Sequence, residues 1–335
     1  MKNSVLILVL AVLASCQPSN KEFIRNEGFI FGTTYHLIYD HPNDLHEEIR
    51  VAFNEFDLSL STYNKQSIIS KVNRDEPVEV DAYFKTVFHK AVEVTKATEG
   101  AFDMTIGPLA NAWGFGFSNK DSITQELVDS LLLHMGMDKI KLEGNRVVKA
   151  NPAIVLNVNA LAKGYGVDVI ANLLEAQGIT NYMVEIGGEL RVKGHNQKKQ
   201  NWRVGIDMPV DDPQVITRDL QEVISITNTA LATSGNYRNF YYKEGKKYAH
   251  TISPYTGYPV QHQLLSASVI APDCMTADAY ATAFMVLGLE KSLEIVKQHP
   301  ELEAYFISSD EEETYRITMT DKFQQFIADK SKGHH

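Results

Sequence analysis

The chain has 335 residues, 44% hydrophobic and 22% charged, which puts it among globular proteins with ample material for a core. Its formal net charge of -10, unrelieved by any basic patch, argues against nucleic acid as a partner. Its two cysteines, Cys16 and Cys274, leave no pair within the folded body, so no intramolecular disulfide is expected there.

At the N-terminus, Lys2 precedes an apolar run, Val5 to Leu13, that is too short to span a bilayer, and Leu13-Ala14-Ser15-Cys16 follows. A charged start, an apolar stretch and small residues at the cut are the layout of a secretory signal. A Cys directly after the small residues resembles a bacterial lipobox. That resemblance implies a signal peptide of residues 1–15, acylation of Cys16, a polar tether over 16–22 and a periplasmic protein lipid-anchored to a bacterial membrane. An ordinary signal peptide in which Cys16 happens to fall at the cut is the plain alternative.

Further along, Phe29 to Tyr39 reads as a strand, and a helix is expected from about Asn43 to Phe56, with Leu45, Ile49, Ala52, Phe53 and Phe56 on one face. Leu60-Ser61-Thr62-Tyr63-Asn64 is a polar turn carrying an aromatic. Helical spacing returns from Ala82 to Thr98 and stops at Glu99-Gly100. The stretch Ala101 to Gly116 is rich in aromatic residues and glycine, suited either to core packing or to presenting flat rings and open backbone to a planar ligand. A helix over Thr124–Met135 and a hairpin around Gly144-Asn145 follow.

The central stretch is Asn157-Val-Asn-Ala-Leu-Ala-Lys-Gly-Tyr-Gly-Val-Asp168. Ala153 to Leu156 before it reads as a buried strand; Val167, Ile170, Ala171 and Leu174 after it recur at helical spacing up to Gly178. Lys163, Gly164 and Gly166 therefore lie where a strand turns into a helix, a place whose free N–H groups favour anions. Many such turns bind nothing. Tyr182 to Val192 reads as a strand in which Gly187-Gly188 marks a bulge or a close approach. Strands are expected at Trp202–Asp207, Val223–Thr227 and Ala230–Ser234, then a turn-rich loop from His250 to Pro259. An Ala-rich helix runs from Met275 to Leu287 and ends at Gly288. Asp278 and Thr282, four residues apart, share one face of it; a carboxylate and a hydroxyl suit a hard cation such as magnesium. A buried Asp capping its own helix and a Thr bonded back to a carbonyl would serve structure alone. The mix of elements without strict alternation points to α+β, with one domain over residues 23–330 and a disordered tail at 331–335.

Taken in order, Gly32-Thr-Thr-Tyr35, Ser61-Thr-Tyr63, Ala101-Phe-Asp-Met-Thr-Ile-Gly-Pro-Leu109, Ala162-Lys-Gly-Tyr165, Gly187-Gly-Glu189, Thr233-Ser-Gly235, His250-Thr-Ile-Ser-Pro-Tyr-Thr-Gly257 and Thr276-Ala-Asp-Ala279 resemble the ApbE flavin transferase family. The resemblance spans almost the whole mature chain. It implies a compact two-lobed domain with a flavin cleft, and magnesium-dependent transfer of FMN from FAD to a Thr or Ser of an acceptor protein, with AMP released. It also implies a magnesium site from Asp278, Thr282 and the Ala160 carbonyl, and flavin contacts from Phe31, Tyr63, Asp103, Met104, Thr105, Asn157 and Lys163. His250 matches a histidine important for transfer. The implied acceptors are extracytoplasmic flavoproteins such as redox-pump subunits.

Two positions depart from the family pattern. Asn157 stands where Asp is common, which keeps a hydrogen bond but not a charge; Phe31 stands where Met is common, and either packs on a ring. The chemistry agrees with the resemblance: a pyrophosphate under attack needs its charge neutralised, and the incoming hydroxyl needs an acceptor for its proton, for which His250 is suited. Two other readings remain, an FAD pyrophosphatase giving FMN and AMP, and a lipoprotein that binds FAD without chemistry.

Overall fold

A computed structural model describes residues 23–115, 123–209, 220–236, 240–243, 246–310 and 314–328. Cys16, with the expected signal peptide (1–15), tether (16–22) and tail (331–335), lies outside the described residues. The elements run β1 (Phe23–Ile30), β2 (Thr33–Asp40), α1 (His46–Leu60), α2 (Ile68–Asn73), α3 (Ala82–Ala97), α4 (Gly107–Ala112), α5 (Gln125–Leu132), β3 (Ile140–Glu143), β4 (Arg146–Lys149) and α6 (Ala162–Ala176). They continue with β5 (Tyr182–Ile186), β6 (Glu189–Lys193), β7 (Trp202–Asp207), β8 (Leu220–Ile226), β9 (Thr229–Gly235), β10 (Phe240–Lys243), β11 (Lys246–Ala249), β12 (Leu264–Ala271), α7 (Cys274–Leu287), α8 (Leu289–Gln298), β13 (Glu303–Ser309) and β14 (Tyr315–Met319).

Eight strands form one antiparallel sheet in the order β1-β2-β5-β6-β9-β12-β13-β14. Successive side chains of a strand point to opposite faces, so each strand serves two cores. In β5, Tyr182, Val184 and Ile186 pack with Ile49 and Phe53 of α1 and Val167 and Ile170 of α6. On the other face, Leu190, Leu231, Ile270 and Ile307 meet Trp202, Ile206, Ile224 and Ile226 of the β7–β8 hairpin. Helices lie against one face and a hairpin against the other: an α+β arrangement, as the sequence suggested. A small lobe from α4, α5 and the 252–258 turn has its own cluster of Leu109, Trp113, Val128, Met135 and Ile252.

Two expected single strands are hairpins. The run from Phe29 to Tyr39 breaks at Phe31-Gly32, and Tyr182–Val192 breaks at Gly187-Gly188. All four residues have positive φ (51°, 77°, 61° and 106°), the left-handed pair that a two-residue antiparallel turn requires. The Gly pair is therefore a turn and not a bulge. Nor is Ala153–Leu156 a strand. Leu156 hydrogen-bonds through both backbone groups to the Asn73 side chain (N to Oδ1 2.7 Å, Nδ2 to O 2.9 Å), so one side chain stands in for a neighbouring strand.

At the centre, α7 is buried along nearly its whole length, with Ala277, Ala279, Ala281 and Ala283 allowing close neighbours on every side. The N–H groups of its first three residues, which an isolated helix leaves unpaired, are all satisfied. Asp168 of α6 accepts from Cys274 and Met275 (3.0 and 2.8 Å), while Asp273 accepts from Thr276 through its side chain and from Ala277 through its carbonyl. The favour is returned by Asp278, whose Oδ2 accepts from the Gly164 N–H of α6 at 3.0 Å. Burial pushes the Asp168 carboxyl up to about 6, against the pull of the Cys274 N–H.

The crossing depends on a missing side chain. A Cβ on Gly164 would fall 2.8 Å from Asp278 Cβ and still nearer the Cys274 carbonyl oxygen, both on α7. Gly164→Ala must therefore spread the two helices, and it is expected to cost about 3 kcal/mol, the upper end of overpacking penalties. Urea unfolding measures this; a loss of under about 0.5 kcal/mol would mean that the crossing has slack.

Candidate active site

The cleft-side ends of β2, β5, β6 and β9, the start of α6 and the last turns of α7 enclose a cleft of about 1270 Å³. Lys163, Glu189, Asp278, Thr282 and Ser234 line its floor. Lys163 Nζ lies 2.5 Å from Glu189 Oε1, and its side chain keeps 35% of its surface open to the cleft. Burial alone would lower the Lys163 pKa, but the carboxylates of Glu189 and Asp278 outweigh it and raise the value, so the lysine is a fixed positive charge. Asp278 is only 3% exposed, and burial pushes its carboxyl up to about 7, with Lys163 pulling the other way.

One turn beyond Asp278, Thr282 Oγ1 lies 3.5 Å from the Ala160 carbonyl oxygen and 3.3 Å from Ser234 Oγ. Neither structural alternative from the sequence applies: Asp273 caps α7, and the Thr282 hydroxyl meets a carbonyl from another segment. Carbonyl, hydroxyl and carboxylate oxygens are the donor set of a hard cation, and a buried carboxyl that resists ionisation is one a cation would favour. Among the described residues no group of three or more His, Cys, Asp or Glu could hold a metal. A magnesium site that draws mainly on water and phosphate oxygens needs no such cluster.

The walls carry most of the other expected residues. Phe31 sits in its hairpin turn with its ring 5.8 Å from Phe53 and 5.0 Å from Phe56. Tyr63, 69% exposed, and Asp103, Asn157 and His250 also line the cleft. The His250 ring lies 6.4 Å from that of Phe115. Asn157 Oδ1 accepts from the Asn159 N–H at 2.9 Å, a bond that Asp would make equally well, so the departure at this position leaves the local turn intact.

Met104 and Thr105 are the exceptions. Both side chains are buried, and neither residue is among those that line the cleft. They serve the wall from behind. The Met104 carbonyl accepts from the Asn157 N–H (2.7 Å), and Thr105 Oγ1 accepts from Gly136 (2.7 Å) while donating to Asp103 Oδ1 (2.6 Å). Burial raises the Asp103 pKa against those Thr105 bonds. Conversely, sequence reading gave no role to Glu189 beyond its place in a motif. The signal was present: a lysine on a cleft floor needs a counter-charge, and the carboxylate directly after a Gly-Gly turn supplies it.

Fold and cleft together define an α+β protein whose cleft combines a charged floor with aromatic walls. Residues 31–306 match the ApbE family, and the chain belongs to that family. It is similar to the FAD:protein FMN transferases of Haemophilus influenzae (38% identity over 304 residues, 86% of this chain and 87% of the relative) and Vibrio cholerae (38% over 309 residues, 89% and 91%). Among solved structures it resembles the flavin transferase ApbE of Vibrio cholerae, with a TM-score of 0.82 and 35% identity over 91% of this chain and 99% of that one. The apo flavinyl transferase ApbE of Pseudomonas stutzeri gives a TM-score of 0.81 at 29% identity, over 91% and 96%.

The segment that brings Asn157 and Ala160 to the cleft hangs on Asn73. Asn73→Ala removes both bonds to Leu156, and two unpaired backbone groups in a buried segment should cost about 2–3 kcal/mol. Amide exchange at Leu156 should rise in parallel. An unchanged rate there would show that the segment is held by other contacts.

Proposed function

We propose that this protein transfers FMN from FAD to a threonine or serine hydroxyl of an acceptor protein, forming a phosphoester and releasing AMP. The observation that carries this reading is the convergence of Lys163, the oxygens of Ala160, Asp278 and Thr282, and His250 on one cleft. Lys163, held by Glu189, presents a fixed positive charge to the pyrophosphate. Phe31 and the exposed ring of Tyr63 offer aromatic surface for a flavin or adenine ring. His250 takes the proton of the incoming hydroxyl as its oxygen bonds to the FMN-side phosphorus; the bond from that phosphorus to the bridging oxygen breaks, and AMP leaves with that oxygen. Asp278, Thr282 and the Ala160 carbonyl would hold magnesium, which when bound neutralises charge on the phosphate oxygens.

The reading extends to location. Lys2, the Val5–Leu13 run and Cys16 support a lipid-anchored periplasmic protein, whose acceptors are extracytoplasmic flavoproteins such as redox-pump subunits.

Incubation with FAD, magnesium and a Thr-containing acceptor domain, read by intact mass, tests the reaction. The acceptor should gain one FMN, and the gain should vanish with EDTA or in Asp278→Ala. His250→Ala should slow transfer about 100- to 10,000-fold while FAD still binds. Free FMN and AMP beside an unmodified acceptor would instead mark a pyrophosphatase. FAD binding without turnover on any acceptor would mark a binding protein.

Magnesium affinity should also depend on pH. With its pKa raised to about 7, Asp278 keeps its proton below that pH and must lose it to bind a cation. Affinity should therefore climb between pH about 6 and about 8, with proton release at the lower end. Calorimetry in buffers of different ionisation enthalpy reads both quantities, and a flat profile would exclude Asp278 as the ligand.

A further inference from the structure

The hairpin of β7 and β8 borders the cleft, and only one of its two edges is occupied. On β8, Ile224 bridges to Ile327, the Val223 carbonyl accepts from the Ala328 N–H at 2.8 Å, and the Val223 N–H donates to the Glu222 side chain at 3.1 Å. Val223 therefore gives neither backbone group to Gly205, the residue opposite it on β7. Opposed residues of an antiparallel pair alternate between exchanging both bonds and exchanging none. By that alternation Gly205 and, two positions back, Arg203 point their N–H and C=O groups away from β8. Both residues are exposed, and among the described residues those outward groups have no hydrogen-bond partner.

Arg203, Val204 and Gly205 all line the cleft that holds Lys163 and Asp278. Successive side chains of a strand point to opposite faces, so three consecutive residues bordering one cavity border it with the strand's edge. A glycine within a strand suits the close approach of another backbone. The two open positions lie about 7 Å apart, one strand repeat, and each offers a donor and an acceptor. A flavin or adenine edge could match one such position. An extended peptide, with the same repeat, matches both.

We propose that the open edge of β7 receives the hydroxyl-bearing segment of the acceptor protein as an added strand, and so leads its threonine or serine into the cleft. This rests on the reading of the protein as an FMN transferase. Such pairing holds the segment through its main chain and leaves most of its side chains free to vary.

Proline tests the edge, because at position 203 it removes an outward N–H and leaves the bonds to β8 in place. Arg203→Pro is compared with Arg203→Ala, which shares the loss of charge and keeps the N–H. At saturating FAD and magnesium, with transfer read by intact mass, the KM for a Thr-containing acceptor domain should be about fivefold higher in the proline variant, as for one lost hydrogen bond. FAD affinity, followed by flavin fluorescence, should be equal in the two. A second measurement needs no substitution in this chain. The mature protein is mixed with FAD, without magnesium, and with an acceptor domain whose target threonine is replaced by valine. Amide exchange at Arg203 and Gly205 should then slow about tenfold or more, whereas Val204, already bonded to β8, should change little.

Equal KM values for the proline and alanine variants would overturn the proposal, as would unchanged exchange at the two amides. A lower FAD affinity in the proline variant would place the nucleotide on the edge instead. Protection of both amides on raising the protein concentration without acceptor would place a second copy of the chain there. Amides protected by the acceptor, with no FMN transferred to its threonine form, would keep the docking edge and sink the transferase reading.

Discussion

The backbone contact between α6 and α7 at Gly164 governs this molecule. Two helices that approach this closely cannot move independently, and here each also supplies the other's missing hydrogen-bond partners: Asp168 for the first turn of α7, Asp278 for the Gly164 N–H. Lys163 precedes the contact glycine, and Asp278 is the residue that glycine touches. The charges on the cleft floor are thus placed by the same packing that holds the core together. Arg191 of β6 extends the brace to the sheet through Asp168 and Glu175 (3.2 and 3.1 Å).

The chemistry needs opposite charges close together and dry, which is expensive unless each has a partner. The cleft floor meets this with a chain: Glu189 pairs with Lys163, Lys163 lies within electrostatic reach of Asp278, and Asp278 accepts from a backbone N–H. With two carboxylates around one lysine, the floor attracts a cation. The glycine turns keep side chains away from the rim. A Cβ on Gly187 would come 2.8 Å from the Thr33 side chain, so the β1–β2 and β5–β6 turns stand against each other at the end of the sheet.

The parts of this architecture that were legible in the sequence are those with a local cause. Helices α1, α3, α5 and α7 announced themselves by periodicity, and the hairpin at Gly144-Asn145 by its turn residues. Asp278 and Thr282 were placed on one helix face by spacing alone. Parts that depend on distant partners were not legible. Val155 and Leu156 have the composition of a strand, but their partner is the Asn73 side chain, 83 positions away from Leu156. In Phe29 to Tyr39 only Gly32 hints at a turn, and its partner Phe31 conceals it, because Phe is a poor residue for a positive φ. Met104 and Thr105 share a motif with Asp103, yet only tertiary packing decides which of the three faces the cleft.

Phe31 accepts a left-handed backbone angle that costs an ordinary residue about 1–2 kcal/mol, and its ring sits against Phe53 and Phe56. Ring burial thus holds the chain in a shape the residue would not choose alone. The consequence is thermodynamic economy at the moment of association. If Phe31 meets the flavin as proposed, a wall already immobilised before the ligand arrives loses little further entropy when it is covered, and more of the stacking energy remains as affinity. Glycine at this position would ease the backbone and forfeit the wall.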